Sequence, residues 1–245
     1  MKLTPSRDPE LGELLAVSFY AVLRFYQFTA AALGSTFPRD ALLAFGVASL
    51  LLAALYVFGQ ADVKRLLAYS SVEHMGILAV GVSFGAPAAL AGVMLHVLAH
   101  AAAKGNAFMG AGVLVMKFGS KQISAMRGGL DLLQSTGPLF LLAVFALAAM
   151  PPSGIFRSEF QIVYGGLSSG HGAAAAALIV LVTVAFFGLT ASATRMLFTR
   201  PGPFDSGPGR RSVAVSRRPG WWSRSSPGSR CCLSSACIPR GSSPA

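Results

Sequence analysis

Three ionisable side chains recur at four-residue spacing in the stretch LHVLAHAAAK, residues 95–104. They are His96, His100 and Lys104, and on a helix this spacing places them on one face, over ~12 Å of the axis. Imidazole and amine groups in such a row can pass protons along it. Because the flanking residues are apolar, ionisable groups here are costly and favour a functional role. A soluble-core helix with hydrogen-bonded histidines is the alternative interpretation.

Further ionisable groups lie on the helix predicted before this row. Glu73 is next to His74 in the apolar run AYSSVEHMGILAV. A carboxylate at membrane depth needs a partner or a proton, so Glu73 is a candidate for proton transfer. A structural ion pair with an arginine of a neighbouring helix explains it equally well. Lys64 and Arg65 begin the same helix. Lys64 is a further candidate for the proton pathway, and the alternative is that both residues only anchor the helix at the cytoplasmic surface of the membrane.

A break is predicted in the fifth apolar stretch, at Pro151, Pro152 and Gly154. Proline removes a backbone donor, so we expect two half-helices, with carbonyls near residues 147–150 left without intrahelical partners. Glu159 would then lie near the positive start of the second half-helix, a place where ion-transport proteins hold charged groups. Alternatively, the prolines end a span at the membrane surface and leave Glu159 in water.

The composition indicates a helical membrane protein. Of the 245 residues, 53% are hydrophobic and 12% are charged, about half the charged share of a soluble domain. Residues 206–245 hold seven arginines and no acid, so subtracting 7 from the net charge of +11 leaves +4 for the first 205 residues. Basic cytoplasmic loops account for that remainder, and we do not expect a nucleic-acid partner.

The apolar runs predict an all-α, multispanning transmembrane bundle of six spans, or seven helices if the halves of the broken one are counted. The spans are residues 14–33, residues 41–59, a helix after the N-cap residue Asp62, a helix from Pro87, the broken element 137–170, and residues 173–198. The basic loops fall on one side, at Lys64, around Lys121 and after Arg195. We expect the chain to lie in the inner membrane of the cell. The positive-inside rule then places these loops, and both termini, on the cytoplasmic side.

The tail, residues 201–245, is rich in Arg, Ser, Pro and Gly and is expected to be disordered. It holds all three cysteines, Cys231, Cys232 and Cys237, in a spacing that is unusual for zinc and without a nearby histidine. We therefore assign no metal ligand and no cofactor-binding residue to the chain. The composition favours an out-of-frame or readthrough end over an RNA-binding arm, and residues 1–13 are interpreted as a truncated N-terminal segment.

Three ordered motifs carry a resemblance to a known family. ADVKRLLAYSSVEHMGI, HVLAHAAAKGNAF and PPSGIFRSEF resemble the antiporter-like membrane subunits. That family includes the proton-pumping subunits of respiratory complex I (NADH dehydrogenase), the Mrp-type cation/proton antiporter subunits and the membrane subunits of energy-converting hydrogenases such as formate hydrogenlyase. EHMG after AYSS is most similar to the F-type membrane component of hydrogenase-4. The resemblance covers residues 14–200.

The resemblance implies a fold and a set of site residues. The family has a 14-helix core of two inverted five-helix repeats, and this chain resembles the second repeat with its flanking helices. Lys104 matches the family's buried lysine or histidine, Glu159 its terminal lysine or glutamate, and Lys64 the lysine of its D-x-K-R turn. The family's central lysine or histidine falls on Ala16 here, and the first repeat is absent.

The function implied is non-redox proton transport by the membrane subunit of an oxidoreductase complex, of hydrogenase or NADH dehydrogenase type. Any [NiFe], Fe–S or flavin group would belong to partner subunits, whose electron transfer drives protons through Glu73, His96, His100, Lys104 and Glu159. Two alternatives stay open. One is a subunit of a sodium/proton antiporter, and the other is a frameshifted fragment that inserts into the bilayer without transporting ions.

Overall fold

The computed structural model describes residues 10–126 and 135–198, with side chains from residue 17 onward. These residues form seven α-helices and a short 3-10 helix, and no strand is found among them, which confirms the all-α prediction. The helices are α1 (Glu10–Leu33), α2 (Thr36–Val57), α3 (Val63–Phe84), α4 (Pro87–Phe118), α5 (Thr136–Leu147), α6 (Gly154–Ser168) and α7 (Gly172–Phe198), with the 3-10 helix at Ile123–Met126. The predicted tail, residues 201–245, and the first nine residues lie outside the described residues.

Four of the described helices, α2, α3, α4 and α7, are long and apolar enough to cross a membrane, against six spans predicted. The predicted broken span is divided between α5, of 12 residues, and α6, of 15 residues. Only 28% of the apolar window is buried in α2 and in α7, whereas 72% is buried in α3. Helix α3 is therefore the central helix, and α2 and α7 present apolar side chains on the outside of the bundle.

The loop before α3 pairs with the loop after α4. The Val63 N–H donates to the Lys121 carbonyl at 3.1 Å, and the Ile123 N–H donates to the Ala61 carbonyl at 2.8 Å. Lys64 and the Lys121 loop therefore share one side of the bundle, as the charge pattern predicts. Asp62 occupies the N-cap position of α3, but its carboxylate makes no cap hydrogen bond.

Two apolar clusters occupy the two ends of the bundle. On α3, Leu67 belongs to one cluster and Ile77 to the other, and on α4 the clusters end at Val93 and Ala103. Glu73 and His74 of α3 and His96 and His100 of α4 lie in the intervals between them, and Lys104 follows directly after Ala103. Because α3 and α4 each pass through both clusters, these polar intervals meet at the middle depth of the bundle.

Glycines let α6 approach α4 closely enough to complete this polar level. A Cβ added at Gly92 would lie 2.8 Å from the Ser158 carbonyl oxygen, and one at Gly165 would lie 2.6 Å from the Ala89 backbone nitrogen. Both contacts are with backbone atoms, which cannot swing aside as a flexible side chain can. The small residues therefore set the distance between α4 and α6, and with it the position of Ser158.

We expect Gly92→Ala to lower the free energy of unfolding by about 1–3 kcal/mol, the usual cost of adding a methyl group to a full interface. Thermal unfolding of the detergent-solubilised chain, followed by circular dichroism, measures the change. Gly105→Ala is the matched control on the same helix, because an added Cβ there meets nothing within 4 Å. Alanine should stabilise that site by up to ~1 kcal/mol through its helix propensity. Equal unfolding temperatures for the two variants would contradict the close packing of α4 against α6.

Candidate proton-transfer site

Eight polar side chains gather between the two apolar clusters, on α3, α4 and α6. We call them the buried polar layer: Ser70, Glu73, His74, His96, His100, Lys104, Ser158 and Glu159. The most exposed of them, Glu159, keeps 8% of its surface accessible, and Lys104 keeps 1%. The predicted row on α4 thus faces the interior. Burying ionisable groups at this depth costs free energy, so their presence here indicates a function.

A hydrogen-bonded chain connects the three helices. His74 Nδ1 on α3 lies 3.0 Å from His96 Nε2 on α4, and His96 Nδ1 lies 2.9 Å from Ser158 Oγ on α6. The Ser158 hydroxyl in turn donates to the Ile155 carbonyl at 2.6 Å. All these separations are within the range of direct hydrogen bonds.

The hydroxyl of Ser158 favours one set of tautomers along this chain. Its single proton is directed at a carbonyl, so Ser158 Oγ accepts from the Nδ1–H of His96. The Nε2 of His96 then carries a lone pair and accepts from the Nδ1–H of His74. The remaining lone pair of this neutral chain is on His74 Nε2, an atom without a hydrogen-bond partner.

His100 is the unpaired member of the histidine group. Both of its ring nitrogens are buried without a hydrogen-bond partner, and the ring centroid lies 4.4 Å from that of His74. Buried imidazole nitrogens normally find a partner, because leaving one without costs about 1–3 kcal/mol. The two free nitrogens therefore indicate a site for a proton, a water molecule or another ligand.

Lys104 is held against a turn of α3. Its Nζ donates to Ser70 Oγ at 2.6 Å and also to the Leu67 carbonyl. Lys104 and Glu73 attract each other electrostatically, while Glu73 and Glu159 repel. No ion pair joins Glu73 to an arginine among the residues that the structure describes, so the structural ion pair proposed as its alternative role is not found there.

The helix break occurs where the sequence predicts it, since α5 ends at Leu147 and α6 begins at Gly154. One expected orphan carbonyl is satisfied, because Met150 accepts from the Ser153 N–H at 2.9 Å. The carbonyl of Leu147, the last residue of α5, lies within reach of the His74 ring and can accept a hydrogen bond from Nε2 when that nitrogen carries a proton. The broken helix therefore directs a backbone dipole at the histidine chain.

Glu159 is buried, which excludes the alternative of a surface residue in bulk water. Its expected place beside the positive helix end is wrong in detail. Helix α6 starts at Gly154 and is capped by Ser153, whose Oγ accepts from the Phe156 N–H at 3.2 Å. Glu159 is the sixth residue of the helix, beyond the first turn in which the dipole acts strongly.

The structure brings together five of the six predicted pathway residues. The sixth, Lys64, lies in the first turn of α3, ~13 Å along the axis from Glu73 at 1.5 Å per residue, and its role stays a prediction. Sequence reasoning gave no role to His74, Ser70 or Ser158. Spacing offered a signal for two of them, because Ser70 and His74 are four residues apart on one face of α3.

Comparison of the sequence with known protein families identifies the family of this chain. Residues 11–187 match the family model described as NADH:quinone oxidoreductase/Mrp antiporter, transmembrane. The chain belongs to this family.

Two curated family members are each 33% identical to the chain. They are the hydrogenase-4 component F homolog of Methylacidiphilum infernorum, over 184 residues and 74% of this chain, and the NADH-quinone oxidoreductase subunit N of Desulforudis audaxviator, over 190 residues and 76%. The match spans 38% of the length of each relative. A solved structure of the Mrp complex from Dietzia has a similar fold, with a TM-score of 0.69 at 21% identity over 81% of this chain and 38% of that one.

Proposed function

We propose that this chain is a proton-translocating, non-redox membrane subunit of a respiratory complex of hydrogenase-4 or NADH:quinone oxidoreductase type. The observation that carries the proposal is the buried polar layer, in which ionisable groups of three helices meet at the middle of an apolar bundle. Such groups are costly in a membrane and repay that cost when they conduct ions. Two relatives that the chain matches are named as a component of hydrogenase-4 and a subunit of NADH-quinone oxidoreductase, which supports these two types of complex.

The histidine chain can relay a proton without separating its members. A proton added at His74 Nε2 allows the Nδ1–H to pass to His96 Nε2, the His96 Nδ1–H to pass to Ser158 Oγ, and the original Ser158 proton to leave. One proton enters and one leaves, and each histidine and the serine keep their proton count. The His74–His96 and His96–Ser158 hydrogen bonds reverse direction, and the hydrogen bond from Ser158 to the Ile155 carbonyl is lost. The relay must then be reset by ring and hydroxyl rotation before the next proton, which gives a coupled partner a step to control.

The other members of the buried polar layer extend this path. His100 and Lys104 follow His96 at successive turns of α4, and Lys104 and His100 interact electrostatically. Glu73 and Glu159 supply carboxylates on either side, and Lys64 is proposed at the cytoplasmic start. Electron transfer in partner subunits that carry [NiFe], Fe–S or flavin groups would move protons by changing the electrostatic field at these residues.

A subunit of a sodium/proton antiporter is the second candidate, favoured by the antiporter branch that the family description includes. Inverted membrane vesicles that carry the chain in its native assembly separate the two functions. With a pH-sensitive dye, we expect proton uptake on addition of the reductant for the partner enzyme, without any need for sodium. Proton movement that requires a sodium gradient would favour the antiporter, and no proton movement with either driving force would favour a fragment without transport.

The membrane topology gives a further prediction. We propose that the paired loops at Lys64 and Lys121 face the cytoplasm, with both termini, in the inner membrane. Single cysteines placed at these two positions, in a chain whose tail cysteines are replaced by serine, should react with an impermeant maleimide in inverted vesicles and not in intact cells.

The matched control is a cysteine at Gly170, which lies between α6 and α7 at the opposite end of the bundle. The cysteine at this position should react with the maleimide in cells whose outer membrane is permeabilised and should not react in inverted vesicles. Labelling of position 64 or 121 from outside would refute the orientation.

A further inference from the structure

Three buried histidines stand close enough to share one ion. His74, His96 and His100 each offer a ring nitrogen within 4.8 Å of the others, and one pair is 3.0 Å apart. Both ring nitrogens of His100 are unpartnered. The fourth histidine of the chain, His171, is elsewhere, beside Phe84 at 5.8 Å between ring centroids.

This donor set matches the chemistry of a transition-metal dication. Neutral imidazole binds Zn²⁺ at about 2.0–2.1 Å, so three ligands of a tetrahedral ion stand about 3.4 Å from one another. The nitrogens of the triad need ring rotations of about an ångström to reach that spacing. His96 is already oriented for the task, because its other nitrogen is held by Ser158, as the second nitrogen of a metal-bound histidine usually is.

We propose that His74, His96 and His100 bind Zn²⁺ or a similar transition-metal dication, and that the bound metal stops proton relay along the histidine chain. The blocking part of this proposal rests on the proposed function, whereas the binding part does not. The ion takes the position of the hydrogen between His74 and His96. The His74 proton moves from Nδ1 to Nε2, so three neutral rings bind the metal without releasing a proton.

Lys104 interacts electrostatically with His100 and, when protonated, opposes a dication at the site. Three protein ligands leave a fourth position open for water, in the manner of zinc sites that exchange their ligands. Because the rings are buried, the metal enters slowly, and binding should be measured after long incubation.

The binding experiment uses the full chain in detergent, with Cys231, Cys232 and Cys237 replaced by serine because thiolates of the tail would also hold zinc. The chain is incubated with excess Zn²⁺, freed of unbound metal by gel filtration and analysed by atomic absorption. We expect about one bound zinc ion per native chain. The amount of bound zinc should fall at least tenfold in His100→Gln and in His74→Gln and should not change in His171→Gln. Magnesium, which prefers oxygen ligands, should not bind.

Circular dichroism and the unfolding temperature separate loss of ligand from loss of fold. Zinc should raise the unfolding temperature of the native chain and of His171→Gln and leave that of His100→Gln unchanged. Zinc retained in His100→Gln, or no zinc in the native chain, overturns the site. In vesicles, zinc should slow proton uptake by the native assembly, and undiminished uptake with the metal bound would overturn the blocking role alone. Vesicles that never take up protons would count against the proposed function and leave the binding result standing.

Discussion

In the proposed assembly, Lys104→Met should lower proton translocation through this chain at least about tenfold, while electron transfer in the proposed partner subunits, measured uncoupled, continues. The amine belongs to the buried polar layer and donates to Ser70 Oγ and the Leu67 carbonyl. Methionine fills a similar volume but can neither carry a proton nor attract the carboxylate of Glu73. A positioned proton-transfer group commonly contributes 10²–10⁴ in rate, so about tenfold is the minimum expected. Dye-monitored proton uptake by inverted vesicles measures the effect.

Lys117→Met is the control, since this lysine lies on the same helix, exposed, in the last turn of α4. It loses an equal charge outside the layer and should retain native proton uptake. A loss of the same size in both variants would attribute the effect to membrane insertion rather than to the relay.

Glu159→Gln should produce a loss of similar size for a different reason. Glutamine keeps the size and hydrogen-bonding capacity of the side chain but cannot titrate. Glu159 lies in the buried polar layer and interacts electrostatically with Glu73, and we propose that it is a carrier of the proton on this path. The same vesicle assay measures the change.

Arg157→Gln tests whether the loss of any charge from α6 lowers proton uptake. It is a suitable control because Arg157 is exposed, whereas Glu159 is buried. We expect native proton uptake from that control. If uptake is undiminished in Glu159→Gln, the carboxylate has only a structural role near the start of the helix.

Sequence reasoning succeeded where the signal is local. The spacing of His96, His100 and Lys104 defines one helix face whatever surrounds it, and the structure buries that face. Pro151 and Pro152 break the helix through their own backbone chemistry. The burial of Glu159 was harder to predict, because the residues around it suit a membrane surface and the middle of a membrane equally well.

The missed features depend on contacts between helices. His74 becomes a site residue only because the packing of α3 against α4 brings its Nδ1 to His96. Ser158 is uncharged, and its role depends on the close approach of α6 that Gly92 permits. No periodicity within one helix encodes either register. The prediction that the chain has no metal ligand was based on the cysteines and stays a prediction, whereas the proposed zinc site uses histidines of separate helices.

The central claim is that protons cross this chain along one path through the buried polar layer. The most direct test is the number of protons translocated per electron pair by the native assembly, with Lys104→Met and Glu159→Gln introduced separately and together. Effects of residues on a single path are not additive. We predict that each single variant lowers the ratio to the same residual value, set by other routes in the assembly, and that the double variant lowers it no further. A native ratio in either single variant, or a double variant that falls well below both, would contradict the single path.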